Sequence, residues 1–249
     1  MKALILAAGY ATRLYPLTQD KAKPLLPVGG KPIIDYILEN LQKVAEIDHI
    51  YVVTNSKFAP SFQTWAKKAN SRKPIKVIDD GTLSNEDKLG AIGDIHFVIK
   101  QEKIEDELMI LAGDNLFEIN LNEFISFYRA KKKHPCIASY DINDSKLAKQ
   151  YGILVVDVNK RITHFEEKSQ HPPGTLAAVG LYLFSKEKLH WIDDYIAEKQ
   201  NQDAPGFYVS WLVKKAEVYA FPLRGKWYDI GDLGSYKKAD EEYTERSRH

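Results

Sequence analysis

Apolar residues come in short unbroken runs, separated by stretches where they recur every three or four positions. The run ALILAA, from Ala3, stops at Gly9, as a strand buried on both faces does. Pro32 then opens a stretch with Ile33, Ile34, Ile37, Leu38, Leu41 and Val44 at helical spacing. HIYVVTN (from His49) and IKVID (from Ile75) predict the second and third strands. A helix over AIGDIHFVIK (from Ala91) leads to a fourth strand, ELMILAGDN, which ends on a Gly-Asp-Asn corner. LNEFISFYRAKKK (from Leu121) reads as a capped amphipathic helix, and CIASYDI (from Cys136) as a return to strand. Strands alternating with helices at this rhythm predict an α/β fold with a doubly wound, mostly parallel central sheet.

The second half changes character. YGILVVD, RITHFEEK and LAAVGLYLFS follow one another with short turns, the pattern of a mixed or antiparallel layer. Helices are predicted around KLHWIDDYIAEK and YVSWLVKKA, strands at VYAFPL and WYDIGD, and a polar closing helix at SYKKADEEYTERS. No Pro/Ser-rich linker, internal repeat or low-complexity tract separates the halves. The expectation is therefore one domain over 1–249 with two lobes, 1–135 and 136–249, the second a smaller mixed β/α lobe.

Composition narrows the function classes. A chain of 249 residues can bury a substantial core. Its 35 Lys+Arg nearly balance 34 Asp+Glu, so no global field draws it to nucleic acid or an anionic membrane, and neither is expected as a partner. Cys136 is the one cysteine, which excludes an intrachain disulfide and a Cys-rich zinc site. The seven histidines show no H-x-x-x-H spacing. No apolar run approaches ~18 residues, and the N-terminal run is too short for a secretory signal. Together these point to a reducing, cytoplasmic compartment.

The chemistry concentrates at strand ends, where open α/β sheets bind ligands. LAAGYATRLYPLTQDKAKPLLPV, from Leu6, sits at such an end. Gly9 offers a sharp turn, while Ala11 and Thr12 stay small, so main-chain N–H groups can approach an anion. Arg13 brings a planar fork for phosphate oxygens, and Lys23 a compact charge. The segment lacks the G-K-[ST] ending of a P-loop, and Ala11 holds the place of the second glycine in G-x-G-x-x-G. By itself it divides evenly between a phosphate loop and an ordinary surface turn. Asp114, in LAGDN, and Asp229, in WYDIG, read singly as turn or cap residues as readily as ligands. As a pair from distant strands they suit Mg²⁺, which takes one or two carboxylates plus phosphate oxygens and water. Asp232 is the second choice for the late carboxylate. Lys168, singly, reads as a strand-end lysine paired with an adjacent acid.

LAAGYATRLYPLT followed by KAKPLLPVGGKP resembles the signature of the sugar-1-phosphate nucleotidyltransferases, the family that includes glucose-1-phosphate thymidylyltransferase. GAIGDI, LAGDNLF, YGILVVD, FEEKS, VGLYLF and WYDIGD then follow in the family's order, over about the whole chain. The resemblance implies a Rossmann-like sheet, with a nucleotide-binding lobe in 1–135 and a sugar-phosphate lobe with the closing helix in 136–249. It implies Mg²⁺-dependent transfer of a nucleotidyl group from an NTP, with dTTP or UTP favoured, to a sugar 1-phosphate, releasing pyrophosphate. Arg13, Lys23 and Lys168 would be catalytic, and Asp114 and Asp229 would hold the metal. Leu6, Ala8, Gly9, Ala11, Thr12, Thr82, Asn85, Lys88 and Gly90 would contact the nucleotide. Tyr151, Gly152, Glu167, Lys168, Val179 and Gly180 would contact the sugar phosphate.

Departures from the family pattern are Ala11, Ala22, Lys88 where glycine is common, and Ser169 where proline usually follows E-E-K. APGFYVSWLVKK also departs from the thymidylyltransferase pattern, which leaves the acceptor open. The alternatives are a cytidylyltransferase acting on a polyol phosphate or phosphocholine, and a non-catalytic nucleotide-sugar sensor. The D-x-D of metal-dependent glycosyltransferases is not matched by DIGD or GDN. No hexapeptide repeat follows WYDIGD, so the activated sugar alone is the expected product. A homo-oligomer is left open.

Overall fold

A computed structural model describes residues 1–246. In chain order the strands are β1 (Lys2–Leu6), β2 (Pro27–Val28), β3 (Lys31–Pro32), β4 (His49–Thr54), β5 (Ile75–Asp79), β6 (Leu108–Ala112), β7 (Asn115–Phe117), β8 (Cys136–Asp141), β9 (Gly152–Val156), β10 (Ile162–Glu167), β11 (Leu176–Phe184), β12 (Tyr219–Pro222) and β13 (Trp227–Asp229). The helices are α1 (Ile33–Gln42), α2 (Ala59–Lys68), α3 (Gly90–Gln101), α4 (Leu121–Ala130), α5 (His190–Ala197), α6 (Pro205–Lys215) and α7 (Leu233–Arg246). Two compact units are interleaved along the sequence. The first takes Met1–Leu89, Leu111–Ile119 and the chain from Gly225 onward; the second takes Gly90–Ile110 and Asn120–Arg224. The expected boundary at 135/136 divides the chain by ligand. The division by packing gives α3 to the second unit and returns α7 to the first.

In the first unit β1 lies beside β4, with β5 beyond β4, and the strand on its other side is β6, of which Leu111 and Ala112 belong to this unit. The β1–β4 and β4–β5 pairs are parallel, in register from Lys2↔His49 to Leu6↔Val53 and from Ile50↔Ile75 to Thr54↔Asp79. Ala3, Leu4, Ile5, Ile50, Val52 and Val53 are fully buried, which explains their unbroken apolar runs. The chain leaves β1 toward β4 and later returns to β6 on the opposite side. The order therefore switches at β1, and the loops after β1 and β6 meet: Gly113 N donates to Leu6 O at 2.8 Å.

α1 buries Ile33, Ile34, Ile37, Leu38 and Leu41, the face its spacing predicts. α2 escapes the sequence reading because it buries only Ala59 and Phe62, too few positions to mark a face. ELMILAGDN is not one strand. β6 stops at Ala112, Gly113 and Asp114 turn, and β7 pairs antiparallel with β13 through Asn115↔Asp229. α7 carries the polar composition expected of it, although Ser247, the end of the predicted stretch, lies outside the described residues. One face of it is packed: Tyr236, Ala239 and Tyr243 sit on Leu14, Leu26, Val28, Ile33, Leu116 and Ile230. Gly29, at φ +55°, admits this approach, since a Cβ there would stand 2.8 Å from Tyr243 Cβ.

In the second unit the long β11 runs antiparallel to β8 and β9, β9 and β10 form a hairpin, and β12 joins β8 in parallel. α4 ends at Ala130, three residues short of the predicted stretch, because Lys132 and Lys133 leave helical geometry at φ 53° and 60°. α6 starts at Pro205, ahead of the expected Tyr208, with proline in its first turn. Tyr208 and Trp211 from α6 stack with centroids 5.8 Å apart, and Tyr195 from α5 packs edge-on to both. Cys136 is fully buried in β8, as a small core residue.

Candidate active site

After β1 the chain forms a loop tied down from several sides. Asn55 Nδ2 donates to Ala8 O at 2.8 Å, and Thr18 Oγ1 donates to Ala11 O at 2.7 Å. The left-handed residue is Ala11, at φ 49° and ψ 43°, and not Gly9, for which a Cβ would meet nothing within 4 Å. The glycine that this turn favours thus belongs at the position where this sequence has alanine. Thr12 opens the 3₁₀ turn Thr12–Leu14, and Arg13 extends from it, exposed. Its guanidinium makes no hydrogen bond among the described residues, and its field helps to hold Asp232 below the usual carboxylate range. The main contribution to that depression is the Ser235 N–H, which reaches Asp232 Oδ1 at 2.8 Å. Asp232 is therefore the cap of α7.

Asp114 and Asp229 are brought together by a residue the sequence reading passed over. Asn115 Nδ2 donates to Asp114 Oδ1 at 2.7 Å and to Asp229 Oδ1 at 3.4 Å. The buried Asn115 is oriented by Trp227, whose Nε1 donates to Asn115 Oδ1 at 2.6 Å. The signal was present in the Gly-Asp-Asn corner, but the Asn reads there as a turn former. Lys23 Nζ sits 2.5 Å from Asp114 Oδ2 and donates to Ile230 O at 2.7 Å. Burial works against the charge on Asp114, yet the Lys23 ammonium, with hydrogen bonds from Lys23 and Asn115, keeps its carboxyl low. Among the described residues no group of three or more His, Cys, Asp and Glu side chains could hold a metal ion. Two carboxylates with an amide between them fit a hard divalent cation that draws its other ligands from phosphate and water.

The 82–90 segment is more committed to the fold than its polarity suggests. Thr82 is buried, and its N–H and hydroxyl both donate to Asp80 Oδ1 at 2.7 Å, while Tyr10 OH lies 3.5 Å from Thr82 Oγ1. Asp87 accepts from Leu83 N at 3.0 Å and from Ser84 N at 2.8 Å. Asn85 and Lys88 remain exposed on this framework. Gly90, at φ +79°, belongs to the second unit and lies under Gln202, whose carbonyl oxygen would be 2.5 Å from a Cβ.

In the second unit β10 ends at Glu167, whose side chain is 9% exposed and whose Oε1 lies 3.9 Å from Lys168 Nζ. Burial pushes the Glu167 carboxyl up, and the lysine opposes this. Two glycines make room for this carboxylate. A Cβ on Gly152 would stand 2.4 Å from Phe165 Cζ and 2.6 Å from Glu167 Oε2, and one on Gly206 would stand 1.8 Å from that oxygen. Gly206 also escaped the sequence reading; it lies in the Pro-Gly start of α6. Lys168 is exposed at φ 48°, with its N–H on Tyr151 O at 3.0 Å. Val179 and Gly180 fall where β11 shifts register against β8, between Ala178 and Tyr182.

Residues 2–246 match the family model described as Nucleotidyl transferase. The chain belongs to that family. Over 97% of its length it is 31% identical to a Sulfolobus acidocaldarius protein provisionally named mannose-1-phosphate guanyltransferase, covering 63% of that relative. It is 28% identical to the glucose-1-phosphate adenylyltransferase of Thermosipho africanus, over 97% of this chain and 61% of that one. The nucleotidyl transferase chain thus spans about three-fifths of the length of these curated relatives. A crystal structure of UDP-glucose pyrophosphorylase complexed with UDP-glucose shares the fold, at TM-score 0.84 and 20% identity over 98% of both chains. The α/β expectation with a Rossmann-like, mostly parallel sheet holds for this nucleotidyl transferase. Among the described residues no helix is long and apolar enough to cross a membrane.

Proposed function

We propose that this chain transfers a nucleotidyl group from an NTP to a sugar 1-phosphate. A phosphate oxygen of the acceptor attacks the α-phosphorus, the bond to the β-phosphate oxygen breaks, and pyrophosphate leaves. The acceptor phosphate is already an anionic nucleophile, so no general base is required. The observation that carries the reading is the Asp114–Asn115–Asp229 bridge, with Lys23 on Asp114, at the switch point of a parallel sheet. Asp114 and Asp229 would hold Mg²⁺, which supplies charge neutralisation on the phosphates when bound. Arg13 neutralises the outer phosphates, with its guanidinium free to form a bidentate pair. Lys23 binds the triphosphate near the leaving group. In the second unit Lys168 receives the acceptor phosphate, and Glu167 accepts a hydrogen bond from an acceptor hydroxyl. Most of the catalysis is positioning and charge stabilisation.

For the base, thymine or uracil is the first reading to test, on overall likeness to the thymidylyltransferases. Guanine and adenine are its rivals, because the relatives' names carry guanylyl and adenylyl transfer. The deciding experiment is a matrix of dTTP, UTP, GTP, ATP and CTP against sugar 1-phosphates, with Mg²⁺, read by pyrophosphate release. Release confined to one or two pairs is expected. No release from any pair overturns the reading.

A further inference from the structure

Glu167 has one carboxylate oxygen placed by backbone and one left over. On one side a Cβ at Gly152 would lie 2.6 Å from Oε2; on the other, a Cβ at Gly206 would lie 1.8 Å from Oε2 and 2.5 Å from Cδ. The atoms met at Gly206 are the carboxylate itself, the far end of a side chain that can turn, so a side chain at 206 would displace Glu167 rather than the helix. The carboxylate can therefore keep its place at the first turn of α6 only while residue 206 has no side chain. The helix would otherwise gain from alanine, which is the better helix former, so glycine at this position is explained by the carboxylate and not by the helix. Oε1, the other oxygen, lies 3.9 Å from the Lys168 ammonium, beyond hydrogen-bond distance, and has no hydrogen bond among the described residues.

We infer that Gly206 is a positioning residue of the acceptor site: with Gly152 it clamps Glu167 Oε2, so that Oε1 is presented to a hydroxyl of the acceptor. This rests on the nucleotidyl transfer reading above. Burial raises the affinity of Glu167 for a proton, which suits its carboxylate to accept a hydrogen bond from a neutral donor. The clamp also explains why α6 departs from the pattern of the thymidylyltransferases without abolishing the site. The segment contributes through its lack of a side chain rather than through a polar one.

The test is Gly206→Ala, assayed with the NTP and sugar 1-phosphate pair that wild type turns over best. The expected result is a rise of about tenfold or more in the KM for the sugar phosphate, the scale of one hydrogen bond to a charged group, with the KM for NTP unchanged. Glu167→Asp retracts the carboxylate by one methylene, so adding it to Gly206→Ala should recover part of the lost affinity. A general packing defect would not respond in that way. If Gly206→Ala alone fails to fold, the pair Glu167→Ala and Gly206→Ala is compared with Glu167→Ala, and equal acceptor KM values are expected because the clash partner is gone. An unchanged acceptor KM in Gly206→Ala, or equal rises for both substrates, overturns the clamp and leaves the transfer reading standing. A wild-type chain that releases pyrophosphate with no pair overturns both.

Discussion

Asn115 divides its side chain between three partners, and each partner has a different claim on it. The amide faces Asp114 and Asp229, while the carbonyl oxygen accepts from Trp227 Nε1. Two carboxylates held this near one another repel, and a neutral donor between them reduces that repulsion without occupying either charge. Aspartate here would add a third negative group, and alanine would remove the amide that bridges the two carboxylates and accepts from Trp227 Nε1. Asn115→Ala should therefore lower stability by about 1–3 kcal/mol, the cost of unsatisfied buried polar groups, read as a shift in the urea midpoint. Added Mg²⁺ should raise the wild-type midpoint by mass action and raise the variant's less, because the two carboxylates are no longer held as a pair. Equal responses to Mg²⁺ would remove Asn115 from the metal site.

At the scale of elements, packing sets what the sequence disclosed. β1 and β4 are buried on both faces, and their apolar runs were plain. α1 has five buried positions on one stripe and was equally plain. α2 is half exposed along its whole length, so its period is lost, and β7 was concealed because its residues continue the apolar run of β6 across a turn. The loop after β1 was legible as a turn of small residues at a strand end, whereas the left-handed residue within it was not: the Ala11 carbonyl that fixes it accepts from Leu14 N and Thr18 Oγ1. The anchor between β6 and α4 belongs to the same hidden class. Glu107, just ahead of β6, takes both guanidinium nitrogens of Arg129, one at 2.6 Å from Oε2, and lies 3.0 Å from Lys133 Nζ. Burial opposes its charge, but Arg129 and Lys133 outweigh burial and hold its pKa below the ordinary 4.5. A depressed acid contributes stability above its unfolded pKa and loses it as pH falls through the folded value. Glu107→Gln should cost about 1 kcal/mol at neutral pH, after allowance for solvent screening of the partly exposed cations. The gap in melting temperature between variant and wild type should narrow as pH falls below the ordinary carboxylate value. A gap that persists in acid would mean that Glu107 acts through packing instead of charge.

For the whole molecule, the transfer reading asks different things of each unit. On that reading the charges of the first unit would meet the nucleotide: Arg13 is exposed with no hydrogen bond among the described residues, and Lys23 already leans on a carboxylate. Those of the second unit would meet the acceptor: Lys168 is 59% exposed beside the half-buried Glu167. An exposed cation that makes no hydrogen bond to the fold can be removed with little effect on stability, within about 0.5 kcal/mol for a surface position, so its loss reports on chemistry. Arg13→Ala should leave the melting temperature in place. Its turnover should fall by about a hundred- to a thousandfold, the loss of one charge-stabilising group in the transition state, or roughly 2–4 kcal/mol. Lys168→Gln keeps the left-handed backbone question constant, because both residues carry a Cβ. It should raise the acceptor's KM while the nucleotide's stays level. The discriminating measurement is full two-substrate kinetics on both variants at saturating Mg²⁺. Were Lys168→Gln to raise the nucleotide's KM, or Arg13→Ala the acceptor's alone, the assignment of one substrate to each unit would be wrong even with pyrophosphate release confirmed.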